Sequence, residues 1–100
     1  MSYSVVNKNS VSTDIIDAVK YYKKISPELA KQYLFRIREA KAYIVNSPIG
    51  FQVKYNNVRT LMLRQFPYHI HYLIDDVQKQ IVILAVIHAY KNPTDYSERP

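Results

Sequence analysis

The chain has 100 residues, 48% of them hydrophobic and 22% charged, with a single glycine, Gly50, and no cysteine. That length sustains one hydrophobic core and so one domain over 1–100, while the missing cysteines and glycines exclude disulfides, thiolate nucleophiles, cysteine-ligated zinc and phosphate-cradling loops. The net charge of +6 is uneven, with nine Lys or Arg against four Asp or Glu in residues 1–57 and five against four thereafter, so most of it is either a solvated helix face or an attractor of an acidic partner.

Tyr3 to Val6 is a short β-prone run that opens the chain as a strand. Ser10, Ser12 and Thr13 offer N-cap oxygens ahead of Asp14 and Asp17, acids suited to the positive end of a helix, while Lys20, Lys23 and Lys24 suit its negative end. Ile15, Val19 and Tyr22, with Ile16 beside them, form a one-sided apolar stripe, which predicts a helix over 11–25. Ser26-Pro27-Glu28 then reads as a cap, a proline at the first helical position and an acid that suits the dipole. Ala30, Tyr33, Leu34, Ile37, Lys41 and Ile44 follow the helical period as far as Asn46-Ser47-Pro48, and the short joint makes the two helices an antiparallel hairpin.

Ile49 to Asn57 reads as a connecting loop, broken by Gly50 and Asn56-Asn57. A strand is predicted over Val58–Gln65, in which Arg59 and Arg64 have opposite parity and so leave opposite faces. Phe66-Pro67 interrupts it, because proline donates no ladder hydrogen bond. Tyr68, Ile70, Tyr72 and Ile74 then alternate with His69, His71 and Leu73, placing both histidines on the face opposite the Tyr/Ile stripe. After the Asp75–Gln78 turn, Ile81–Ile87 is apolar throughout, as a central strand covered on both sides requires. Residues 94–100 read as a flexible tail. The order is β-α-α-β-β-β, an α+β fold with a helical hairpin packed on one face of a small, mostly antiparallel sheet. The first nine residues are too short and polar for a secretion signal and no apolar run approaches the ~18 residues of a membrane span, so a cytoplasmic protein without membrane contacts is expected. A sheet bearing basic, imidazole and phenol groups is suited to an RNA or protein target.

The chain resembles the RelE/ParE superfamily of toxins from bacterial type II toxin–antitoxin modules. The resemblance is carried by D-I-I-D-A-V-K-Y-Y-K-K-I-S at Asp14–Ser26, A-K-Q-Y-L-F-R-I at Ala30–Ile37, V-R-T-L-M-L-R-Q-F-P-Y-H-I-H-Y at Val58–Tyr72 and I-L-A-V-I-H-A-Y-K-N-P at Ile83–Pro93. It implies the same topology, a plasmid-stabilising or growth-inhibiting toxin, and a cognate antitoxin whose often acidic, flexible segment folds over the toxin. RelE-like members cut mRNA on the ribosome without a metal or other cofactor, whereas ParE-like members inhibit DNA gyrase. A catalytically inactive module that binds only its antitoxin is the alternative.

A ribonuclease must activate the 2′-hydroxyl, stabilise the pentavalent phosphate and protonate the leaving oxygen. The resemblance assigns these tasks to Arg64, to His69 in a slot where arginine is common, to Lys91 after the last strand and to Tyr96 near a C-terminal aromatic. Thr60, Leu61, Met62 and Leu63 are uncharged where such nucleases carry Lys or Arg, which counts against cleavage. His71, His88, Arg59 and Tyr90 are binding candidates: arginine forks suit phosphate or carboxylate, and a flanking buried strand favours a structural hydrogen bond for His88. The plainer reading of His69 and His71 is a pair of exposed strand histidines, and no third residue has convincing metal-ligand spacing. Tyr22, Tyr33, Tyr68 and Tyr72 fall on apolar stripes and belong to the core, leaving Tyr90 and Tyr96 free to act.

Overall fold

The structure, a computed structural model, describes residues 3–90, 95–97, 99 and 100. Its elements are β1 (Ser4–Asn7), α1 (Ser10–Ile25), α2 (Pro27–Asn46), β2 (Val53–Tyr55), β3 (Val58–Met62), β4 (Tyr68–Asp75) and β5 (Gln80–His88). The strands form one sheet in the order β1-β5-β4-β3-β2, with β1 parallel to β5 and every other pair antiparallel. No described helix is long and apolar enough to cross a membrane.

The joint between the helices is one residue. Ser26 sits in extended backbone, its N–H donates to the Tyr22 carbonyl at 2.9 Å, and Pro27 starts α2 where a missing N–H costs nothing. The buried face of α1 is centred on Val11, Ala18 and Tyr22, with Ile15 and Val19 at its flanks, whereas Ile16 is half exposed. None of the predicted hydroxyls caps α1. Asn9 holds the N-cap position without a side-chain bond, and Ser12 Oγ donates back to the Asn9 carbonyl at 3.3 Å.

The segment expected to be a loop carries a strand. Asn56 and Asn57 both have positive φ, 39° and 64°, so β2 and β3 are joined by a two-residue turn with Tyr55 opposite Val58. Asparagine tolerates that region of backbone, and two such residues in succession give the hairpin twist that matches paired strands. The strand over Val58–Gln65 is correspondingly shorter, ending at Met62, and Arg64 lies in the bend before β4.

Helices cover one face of the sheet. There Tyr22, Tyr33, Ile37 and Ile44 pack against Phe66, Ile70, Tyr72, Ile81, Ile83 and Val86. Tyr22, Tyr33, Phe66 and Tyr68 form an aromatic knot with centroids 4.9–6.1 Å apart, most pairs edge to face, a geometry worth about 0.5–1.5 kcal/mol each beyond area burial. The opposite face buries a smaller group, Val58, Leu84, Ala85, Ile87 and Tyr96. Leu84 and Ala85 are consecutive yet on the same face because the β4–β5 register jumps between His71↔Ala85 and Tyr72↔Ile83, a bulge.

The stretch expected to be a flexible tail is packed, in its described residues, against this second face. Tyr96 is buried, and Arg99 makes a two-pronged pair with Asp14 on α1, Nη1 to Oδ2 at 2.7 Å and Nη2 to Oδ1 at 3.0 Å. An apolar ring and a bidentate ion pair, one on each side of the β5 edge, outweigh the ordering entropy of a few terminal residues.

Candidate functional site

The strand period puts His69 and His71 on the helix-free face, as their alternation with Tyr68, Ile70 and Tyr72 predicts, and their rings lie 6.2 Å apart. Two tyrosines complete the cluster, Tyr55 from the segment expected to be a loop and Tyr96, which the resemblance groups with His69. The Tyr55 hydroxyl, brought over by the β2–β3 hairpin, lies 2.9 Å from His71 Nδ1, and the Tyr96 N–H donates to that hydroxyl at 3.3 Å. The Tyr96 ring rests edge-on against His71, with centroids 5.0 Å apart.

Burial and nearby cations set the protonation of the pair. After accepting the Tyr96 N–H, the Tyr55 hydroxyl keeps a proton and a second lone pair for His71 Nδ1, so it can serve either tautomer of that imidazole. Burial first, then the nearby His69 and Arg99, push His71 down to about 4. Burial and then Lys54 also lower His69. A neutral imidazole pinned beneath a tyrosine holds a structure together better than it shuttles protons. Among the described residues no group of three metal-ligating side chains includes this pair.

The arginines do not join the histidines. Arg59 is spent on the backbone, its Nη1 donating to the Phe51 carbonyl at 2.5 Å and the Ile49 carbonyl at 3.3 Å, so it holds the α2–β2 connection. Arg64 is exposed in the bend after β3 and stands 5.9 Å over the ring of Tyr43 on α2, on the helix-bearing side. The predicted split of the two arginines between opposite faces therefore fails, since β3 stops before Arg64 and parity ceases to apply. Lys91 lies outside the described residues.

Tyr96, expected to be free, is buried. His88, expected to have a buried flank, is exposed at the end of β5, where its Nδ1 accepts the Tyr90 N–H at 3.2 Å and its ring lies between Tyr68 and Tyr90. Tyr90 is exposed as expected. His88 and Tyr90 line a groove of about 720 Å³ between α1 and the end of β5, well apart from His71 in the chain's layering because it opens on the helix side. The residues missed by sequence reasoning are Tyr55, Asp14 and Arg99. For Asp14 a signal existed: it stands between Val11 and Ala18 on the buried stripe of α1, where a carboxylate needs a partner.

A family model described as the ParE toxin of type II toxin–antitoxin systems, parDE, matches residues 5–93, nearly the whole chain. The chain belongs to this family. It is the toxin type of a type II toxin–antitoxin system, within the wider RelE/ParE superfamily. Among curated proteins, none matches in sequence. Among solved structures, the chain is similar to one of the chromosomal ParDE system of P. aeruginosa, with a TM-score of 0.75 and 22% identity over 87% of this chain and 96% of that one. It is similar also to the RelBE2 toxin–antitoxin complex of Mycobacterium tuberculosis, with a TM-score of 0.56 and 20% identity over 88% and 99% of the two chains. An E. coli RelE variant in the free state gives 0.57 and 16% identity over 90% and 86%. At these identities the likeness is one of fold, and it matches the ParE family's two helices on a mostly antiparallel sheet.

Proposed function

We propose that this toxin arrests growth by binding DNA gyrase and not by cutting mRNA, and that a cognate antitoxin neutralises it. What supports the reading is that, in the described residues, the candidate arginines do not converge on the His69, His71 and Tyr96 cluster. Arg59 is bound to carbonyl oxygens, Arg64 stands over Tyr43 on the helix side, and His71 is kept neutral by burial between Tyr55 and Tyr96. Metal-independent cleavage needs a base, an acid and cations around one phosphate, and beside the neutral His71 the near guanidinium, Arg99, is already paired with Asp14. An inhibitor that works by occupancy needs only a complementary surface. The antitoxin partner follows from the family and from the ParDE and RelBE2 assemblies of similar fold.

The test is inducible expression in a bacterial host, reading plasmid supercoiling and transcript ends in the same culture. Altered supercoiling with intact transcripts is expected. Transcripts cut at the ribosome, with cleavage lost in His69→Ala or Arg64→Ala, would establish the nuclease instead, and unchanged growth would leave an inactive antitoxin-binding module.

A further inference from the structure

β1 pairs with β5 only from Gln80 to Ile83, and the Lys8 N–H closes that ladder on the Ile83 carbonyl at 2.9 Å. From Leu84 to His88 no strand among the described residues pairs with β5 on that side. Side chains stand in for the absent strand at its first positions. Asp14 Oδ2 accepts the Val86 N–H at 3.0 Å, and Arg99 Nη1 donates to the Leu84 carbonyl at 3.0 Å, which is one acceptor and one donor where a neighbouring backbone would offer the same. Past them the alternation continues. The Ala89 N–H turns inward to the Pro67 carbonyl at 2.7 Å, so the period of two turns the Val86 carbonyl and the His88 N–H outward.

That outward edge borders the 720 Å³ groove, whose far wall is α1. The wall is apolar beyond what a solvated helix needs, with Tyr21 58% and Ile25 62% exposed and Tyr90 84% exposed at the mouth. Its charge runs against that of the chain. Among the described residues no Lys or Arg lines the groove, whereas Asp14 and Asp17 do, in a protein of net charge +6. Arg99 already pairs with Asp14, which leaves the exposed Asp17 to meet an incoming charge.

We propose that this groove takes an extended peptide segment of a partner protein, added as a strand to β5 at Val86–His88, with an apolar side chain between Tyr21 and Ile25 and a Lys or Arg opposite Asp17. A helical segment would leave the outward backbone groups unpaired, and an acidic segment or nucleic acid would meet a carboxylate. A second copy docked about a twofold axis would bring two acidic walls together. The acidic segment suggested by the net charge fits the lysine-bearing helix faces, so this groove selects for the opposite sign. The inference holds whichever cellular target the toxin has.

The test uses the full chain and a displayed library of random decapeptides, panned on the wild type and counter-panned on Ile25→Ser. Winners are expected to alternate apolar and polar residues beside a Lys or Arg, and to move the amide resonances of Tyr21, Ile25, His88 and Tyr90. Ile25→Ser should weaken them about tenfold or more, as loss of a central apolar anchor does. Methylating the peptide nitrogens on the pairing edge should abolish binding, and Asp17→Lys should shift selection from basic to acidic flanks. Both substituted residues are solvent-exposed, so a dispersed amide spectrum will verify the fold of each variant. Winners that are helical or acidic, that bind Ile25→Ser equally, that tolerate N-methylation or that perturb other faces would overturn the proposal, as would the enrichment of no groove-dependent peptide.

Discussion

At the residue scale, two buried polar groups give opposite expectations. The Tyr33 hydroxyl is fully buried with no hydrogen-bond partner among the described residues, and burial pushes its ionisation far above the usual phenol range. Its ring anchors the aromatic knot, so the hydroxyl alone carries the cost. Tyr33→Phe is expected to raise stability by about 1 kcal/mol, the penalty of an unpaired hydroxyl in a packed core, read as a higher denaturant midpoint with an unchanged slope. His71 is the reverse case, a polar group that has a partner in Tyr55 and whose burial disfavours its charged form. Held at about 4 when folded, against about 6.5 in an unfolded chain, its imidazole refuses a proton that the unfolded chain accepts. Stability from this group is therefore present above pH ~6.5 and is lost as the pH falls from there toward about 4. His71→Gln should flatten the stability profile across that window, with a smaller slope left by His69; an unaltered slope would show that burial does not hold His71 neutral.

The element that most changes the molecule is the C-terminal segment. Asp14 and Arg99 are 9% and 22% exposed, and together they satisfy the Val86 N–H and the Leu84 carbonyl. Removing the arginine strands a carboxylate beside the sheet edge, so Arg99→Ala is expected to cost about 2 kcal/mol, less than a fully buried pair because water reaches the guanidinium. Asp14→Asn should cost a similar amount, and the double variant less than the sum of the two, since each already removes the same interaction. Strict additivity in urea melts would show that the pair is not formed in solution. Little of this was legible in the sequence, because an arginine 85 residues from its partner leaves no local pattern. The helices, by contrast, were legible almost to the residue, since proline at the start of α2 and the apolar period act within a few residues. The β2–β3 hairpin was missed because β2 is three residues long and its turn is Asn56-Asn57, so the signal lay in backbone conformation and not in alternation.

For the whole molecule, sheet order sets the order of opening. β5 is flanked by β1 and β4 and packed on both faces, while β2 is a three-residue edge strand. Native-state hydrogen exchange should find the Ile81–Ile83 amides opening only by global unfolding and the β2–β3 ladder exchanging faster by orders of magnitude. Equal rates would contradict this layering. The sequence by itself determined the helical hairpin, the central apolar strand, the facing of His69 and His71 and, through the run from Val58 to Pro93, the family, because period, turn chemistry and motif order are local. Only the tertiary structure decided that Arg59 serves a carbonyl, that Arg64 leaves the histidines, that Tyr96 is buried, and that Asp14 and Arg99 close part of the β5 edge. Each depends on where a strand stops or what lies across the sheet, and those are fixed by the packing of distant segments.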